Sequence, residues 1–185
     1  MNICFAPGVV FDEEKHEYHY KGSKLSGVTG VISKHLGKKY ASEFVEEHRE
    51  EGLHIHRAIQ HWIENGNPES IHEGVQWIIR NMEDSRLHLA SEVLVSDFRH
   101  YASSVDIVVV PSDGNDGVVG IFDIKKGKLD RPSVTWQLSI YKYFIEKYSP
   151  YTVKACTCIS LKDREFWDIF PKKAEEVEKL LYSVL

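Results

Sequence analysis

The sequence predicts an α/β fold, a mixed β-sheet flanked by helices and preceded by an N-terminal hairpin and helical elements. Three observations carry this reading. Apolar residues recur at helical spacing between Ala41 and Glu64, and again from Glu69 to about Glu83. The period then changes, and Leu89–Val95, Ser104–Val110 and Val118–Lys125 read as β-branched runs of strand length. After them the pattern alternates helix, two strands, helix. With 185 residues, 42% of them hydrophobic and 28% charged, the chain can bury a substantial core as one domain, residues 1–185.

Taken in order, Val9-Val10-Phe11 and His16 to Tyr20 form a short hairpin around the charged turn Asp12-Glu13-Glu14-Lys15. Lys21-Gly22-Ser23 is a second turn, and Ser26 to Leu36 is a short helix that stops at Gly37. The stripe of the next helix comprises Phe44, Val45, Ile55, Ile59, Trp62 and Ile63, and Asn65-Gly66-Asn67-Pro68 ends it. Gly52 lies inside that helix, where glycine costs about 1 kcal/mol relative to alanine, so it predicts either the close approach of another group or a local break. The following helix turns Val75, Ile78, Ile79 and Met82 inward.

The three β-branched runs make an antiparallel meander, its last two strands joined by the turn residues Pro111 to Gly117. Pro132 opens a helix to about Tyr148, since proline suits the first helical turn. Thr152–Leu161 and Glu165–Phe170 form a hairpin around Lys162-Asp163-Arg164. Pro171 opens a closing helix with Val177, Leu180, Leu181 and Val184 on its apolar side.

Composition excludes several classes of protein. No apolar run approaches the ~20 residues of a membrane span, and Met1 to Pro7 lacks the basic start and apolar stretch of a signal peptide, so a cytoplasmic location is expected. Three cysteines make no disulfide framework. Cys156 and Cys158 alternate with Thr157 and are expected as small buried residues on one face of a strand. A net charge of −5 weighs against nucleic-acid binding over the whole surface, but not against acidic residues gathered around a cation.

Asp123-Ile124-Lys125 places an acid and an amine on one face of a strand, where they can hold a cation and a nucleophilic water together. Asp106 begins an otherwise apolar strand, where an unpaired carboxylate is costly. Folding the hairpin about Gly114 brings it opposite Phe122 or Asp123, and like charges that close repel unless a proton or cation neutralises them. His56 follows Gly52 by one helical turn, so an imidazole there can complete a ligand set. Glu92 on the first meander strand can face the same cluster, and Gln137 and Tyr141 share a face of the helix that follows Lys125. Lys125, Lys126, Lys128 and Arg131 form the densest basic patch and can pair with DNA phosphates.

The order Gly52, His56, Glu92, Asp106, Asp123-Ile124-Lys125, Gln137, Tyr141 resembles the motif series of RecB-like exonucleases in the PD-(D/E)XK nuclease superfamily. His16, Tyr18 and the stretch Gly22 to Thr29 also look like the leader of small standalone members, often phage-encoded. The resemblance implies a restriction-endonuclease-like core and a metal-dependent DNA nuclease, an exonuclease rather than an endonuclease, acting in recombination, repair or phage DNA processing. It implies that His56, Asp106, Asp123 and the Ile124 carbonyl hold Mg²⁺ or Mn²⁺, and that Lys125 positions or helps deprotonate the attacking water. Glu92 would support the site through a bound water, while Gln137 and Tyr141 would orient the lysine or contact the DNA backbone. The expected partners are DNA and a recombination or replication protein. The alternative is an inert nuclease-fold module that binds either one.

Two departures from that pattern stand out. Ser103 occupies the place, three residues before the first acid, where the family usually has glycine. Relatives with an iron–sulfur cluster use four cysteines, so none is expected with three.

Overall fold

The computed structural model describes residues 3–37, 45–66, 72–84, 86–111 and 117–183, with side chains of the second helix described from residue 52 onward. Its elements are β1 (Val9–Asp12), β2 (Glu17–Tyr20), β3 (Ser23–Gly27), α1 (Val28–His35), α2 (Val45–Asn65), α3 (Glu73–Met82), β4 (Leu87–Ser96), β5 (Tyr101–Pro111), β6 (Val118–Lys125), α4 (Arg131–Tyr148), β7 (Thr152–Ser160), β8 (Glu165–Asp168) and α5 (Ala174–Tyr182). The strands form one mixed, open sheet in the order β1-β2-β3-β5-β6-β7-β8, with β4 paired to β5.

Helices cover both faces because the strands are apolar on both sides. Ile107 and Val109 of β5 pack with Ile124, Ile159 and the inward residues of α2 and α3, among them Ile55, Ile59, Val75 and Ile78. Val108 and Val110 point the other way, into a larger cluster with Ile121, Cys156 and Cys158. Val134, Leu138, Tyr141 and Ile145 lie at three- and four-residue spacing along α4 and enter that cluster together with Val177 and Leu181 of α5. Each such aliphatic side chain stabilises the fold by roughly 1.5–3 kcal/mol on burial.

The pairing of β5 opens a gap. One edge of β5 is taken by β4 along nearly its whole length, from Leu87↔Pro111 to Ser96↔Ala102. The other edge is shared: β3 runs parallel to Tyr101 and Ala102, and β6 antiparallel to Ile107–Val109. Ser103 to Asp106 lie between them, and there β6 leaves β5 while staying paired with β7 out to Lys125↔Ser160.

A second irregularity sits at the same level. Leu87 and Leu89 of β4 pack on the α2–α3 side, yet Val93 and Val95, of the same parity, join the cluster under α4. The alternation switches at Glu92, whose backbone is left-handed (φ 49°). The ladder runs Ser91↔Ile107 and then Val93↔Val105, leaving Glu92 and Asp106 facing each other at the interruption.

Several expected boundaries move. Ser26 and Gly27 belong to β3 rather than to the first helix, which begins at Val28. Leu25 is the only buried residue of β3, so the strand is made by its neighbours and has no apolar period of its own. The second expected helix starts at Glu73, where His72 Nδ1 accepts from the Gly74 N–H at 3.2 Å; Glu69 lies outside the described residues. The closing helix starts at Ala174, three residues after Pro171, where the Glu176 carboxylate accepts from the Lys173 N–H at 3.1 Å. Phe44, Gly114 and Val184 lie outside the described residues. Gly52 marks neither a break nor a close approach: α2 runs through it, and no described atom stands within 4 Å of the place a Cβ would take.

Candidate metal centre

The gap beside β5 gathers the residues that carry chemistry. Continuing the register Ile107↔Phe122 by one step sets Asp106 opposite Asp123, and Glu92 faces Asp106 from the other side. The Asp106 carboxylate feels the charges of both Asp123 and Glu92, so the acids of β4, β5 and β6 gather at this level, and Phe122 is the partner of Ile107. Asp106 Oδ2 accepts from the Ile124 N–H at 2.6 Å, so the carboxylate replaces the ladder bond that β5 and β6 no longer make.

Helix α2 brings the imidazole. His56 Nδ1 lies 3.2 Å from Glu92 Oε1 and 3.6 Å from Asp106 Oδ1, between the two acids. The second Glu92 oxygen accepts from the Ser104 hydroxyl at 2.7 Å. Among the described residues, His56, Glu92 and Asp106 offer ligand atoms that all lie within 4.8 Å of one another. Glu92 thus stands among the possible ligand atoms itself.

Asp123 sits one strand further and is fully buried. Its Oδ1 accepts from the Lys125 ammonium at 2.9 Å, while Oδ2, equally close to that nitrogen, is buried without a hydrogen bond of its own. That oxygen therefore keeps lone pairs that a cation could use. Lys125 also donates to Gln137 Oε1 at 3.2 Å, and Gln137 Nε2 donates to the Tyr141 hydroxyl at 2.7 Å. Ile124 turns its side chain into the α2–α3 cluster and its backbone toward Asp106.

Electrostatics follow from burial and from this crowding. The Asp106 carboxylate holds His56 up to about 9, against the opposing pull of burial. Burial raises Asp106 above the ordinary carboxylate range, with His56 opposing and Asp123 adding to the rise. Burial alone would lower Lys125, but Asp123 and Asp106 outweigh it, so the amine stays charged. Cys158, paired in register with Asp123, is pushed up to about 12 by burial and by that aspartate, which makes it an inert thiol.

Asp97 shows how a structural carboxylate differs. It is just as buried and its Oδ2 is likewise without a hydrogen bond, but its Oδ1 accepts from the backbone N–H groups of Arg99, His100 and Tyr101 and shapes the β4–β5 turn.

The expected DNA contacts surround the centre unevenly. Lys128 is exposed on the loop after β6, and Lys126 is half-buried there. Arg131 is the first residue of α4, its guanidinium 4.2 Å from the centroid of the Trp167 ring, which fixes its direction. Sequence reasoning missed the hydroxyls: Ser104 on Glu92, and Ser103, whose Oγ lies 2.9 Å from the Tyr141 hydroxyl. The only signal was the serine pair itself, just before Asp106. Tyr18 of β2 was singled out only as part of a leader. Its phenol is pushed up to about 12, chiefly by burial and then by the Glu92 carboxylate, so it too borders the site.

The chain matches no protein-family model and no curated protein. Among solved structures it is similar to the crystal structure of SSO0001, at 13% identity and a TM-score of 0.41, over 88% of this chain and 76% of that one.

Proposed function

We propose that this chain is a Mg²⁺- or Mn²⁺-dependent deoxyribonuclease of the PD-(D/E)XK type, close in plan to RecB-like exonucleases. The observation that carries it is the meeting of His56, Glu92 and Asp106 within ligand reach, beside a buried Asp123 paired with the half-buried Lys125. The donor set fits a divalent ion. Two carboxylates and one imidazole offer oxygen-rich ligation, with a lean toward Mn²⁺ from the nitrogen. Asp123 Oδ2, ion-paired with Lys125 at 2.9 Å, is a further candidate donor. Such an ion, when bound, supplies charge for the phosphate oxygens and acidifies water.

The residues of the chain supply the rest. Glu92 and Asp106, fixed by Ser104 and by the Ile124 N–H, keep the ligand oxygens in place before any cation arrives. Lys125, a donor with no lone pair while protonated, would hold the attacking water and stabilise negative charge as it grows on the phosphodiester. Asp123 and Gln137 fix its direction from two sides. Lys128 and Arg131 would hold the phosphates flanking the scissile bond.

The test is digestion of end-labelled linear DNA and closed circular DNA by the purified protein, with Mg²⁺ or Mn²⁺ and with EDTA. Metal-dependent loss of the linear substrate, with circles cut more slowly, is the expected result. Binding without cleavage in either metal would favour the inert module. Equal cleavage of circles would remove the exonuclease assignment.

A further inference from the structure

Ser103 stands where the motif pattern usually carries glycine, and its hydroxyl does something a glycine cannot. The direction of the hydrogen bonds behind Lys125 is forced from one end. A protonated lysine only donates, so Gln137 must turn its carbonyl oxygen toward Lys125 and its NH₂ toward Tyr141. The Tyr141 oxygen then accepts, and its single proton has to go elsewhere. Tyr141 is 1% exposed, so water does not serve it, and the described acceptor within reach is Ser103 Oγ at 2.9 Å. Ser103 is itself nearly buried, and its own hydroxyl lies against the Tyr18 phenol of the N-terminal hairpin. The line of donors therefore runs one way, from Lys125 through Gln137 and Tyr141 to Ser103.

We propose that Ser103 is a positioning residue: by accepting the Tyr141 proton it sets the Gln137 amide with its oxygen, and not its NH₂, toward the Lys125 ammonium. Without that acceptor, the buried Tyr141 proton is either orphaned or redirected to the Gln137 oxygen. Redirection rotates the amide and sets NH₂ against NH₃⁺, two donors facing each other. Lys125 then keeps only Asp123 as a partner and loses the second contact that defines where its ammonium points. The nuclease reading enters this proposal only through the rate measurement; the orientation of the amide is tested separately.

The variants are Ser103→Ala, which removes the acceptor, and Ser103→Thr, which keeps it. The chain has three glutamines, Gln60, Gln76 and Gln137, so selective ¹⁵N-glutamine labelling gives three side-chain amide pairs to follow by NMR. Ser103→Ala should move the Gln137 side-chain amide signals and speed their exchange with solvent, while leaving those of Gln60 and Gln76 in place; Ser103→Thr should restore them. In single-turnover cleavage Ser103→Ala should lower the rate roughly ten- to a hundred-fold, the range expected when a reacting group is misplaced by about 1 Å. Mn²⁺ and DNA affinity should hold within two-fold, and Ser103→Thr should recover most of the rate. Unmoved Gln137 amide signals in Ser103→Ala would overturn the proposal whether or not the wild type cleaves DNA. A wild type that cleaves nothing, with the Gln137 signals still moving, would count against the nuclease reading alone.

Discussion

In the metal-free protein, His56 and Lys125 supply the positive charge that faces Glu92, Asp106 and Asp123. Asp106 raises His56 from an ordinary 6.5 to about 9, so the folded state binds a proton that the unfolded state releases between those values. The stabilisation is complete below about pH 6.5 and is lost as pH rises through 9. Asp106, also raised, works in the same direction from its ordinary 3.8 upward. Thermal melts in EDTA should therefore show a falling Tm from pH 6.5 to above 9, and the fall should be shallower in His56→Gln. Identical profiles would refute the ion pair. Adding Mn²⁺ should flatten the decline, because the cation competes with the proton for the same donors. On the proposed nuclease reading Lys125→Ala is the complementary case: it should bind Mn²⁺ like the wild type, yet cleave about a hundred- to a thousand-fold more slowly, because the lysine charge would act only in the transition state. Turnover within a few-fold of wild type would reduce Lys125 to a partner for Asp123.

The elements were legible wherever a stretch carries its own period. The meander, the helix over Pro132–Tyr148 and the hairpin after it follow from residues that alternate or recur within one segment. β3 does not, because its pairing with β2 and β5, and not its own side chains, makes it a strand. The same limit hid part of the candidate site. Asp106, Asp123 and Lys125 announce themselves as charges in apolar strands. Ser103, Ser104 and the backbone of Glu92 matter only through the gap in β5 pairing, which no local pattern records. Gly52 is open to experiment at this scale. With no described atom within 4 Å of its missing Cβ, Gly52→Ala should stabilise the protein by up to about 1 kcal/mol in denaturant unfolding. A loss of stability would mean that a group presses on that flank of α2. The position lies one turn before His56, so slower cleavage by a more stable variant would show that substrate uses the opening.

Taken as a whole, the molecule carries an excess of negative charge, −5, while Lys126, Lys128 and Arg131 collect on the loop and helix start beside the centre. On the proposed function, binding of DNA should be local and salt-dependent. Lys128→Ala should weaken binding of all sequences alike and reduce the slope of log K against log salt by about one, as expected for one lost phosphate contact. An unchanged slope would place the DNA elsewhere. Arg131→Lys should weaken binding more than its conserved charge suggests, because an ammonium cannot stack flat on Trp167 as a guanidinium does. The split of the sheet gives this geometry its reason: β6 departs from β5 at the height where the acids stand, and α4 crosses the opening with Gln137 and Tyr141.

The left-handed backbone at Glu92 has an evolutionary reading as well. A residue with a side chain costs roughly 1–2 kcal/mol in that conformation, and glycine pays almost nothing there. Replacing Glu92 by glycine would also remove a carboxylate that faces Asp106, but with it the partner of His56 and of the Ser104 hydroxyl, so heat resistance should improve by less than the backbone relief alone. A mutant library at this one position, sorted blindly for survival at high temperature, should fill with glycine and asparagine. Every winner of that contest would have lost a candidate metal ligand, and a lineage that still carries glutamate at 92 would be one in which folding robustness was not the trait under selection.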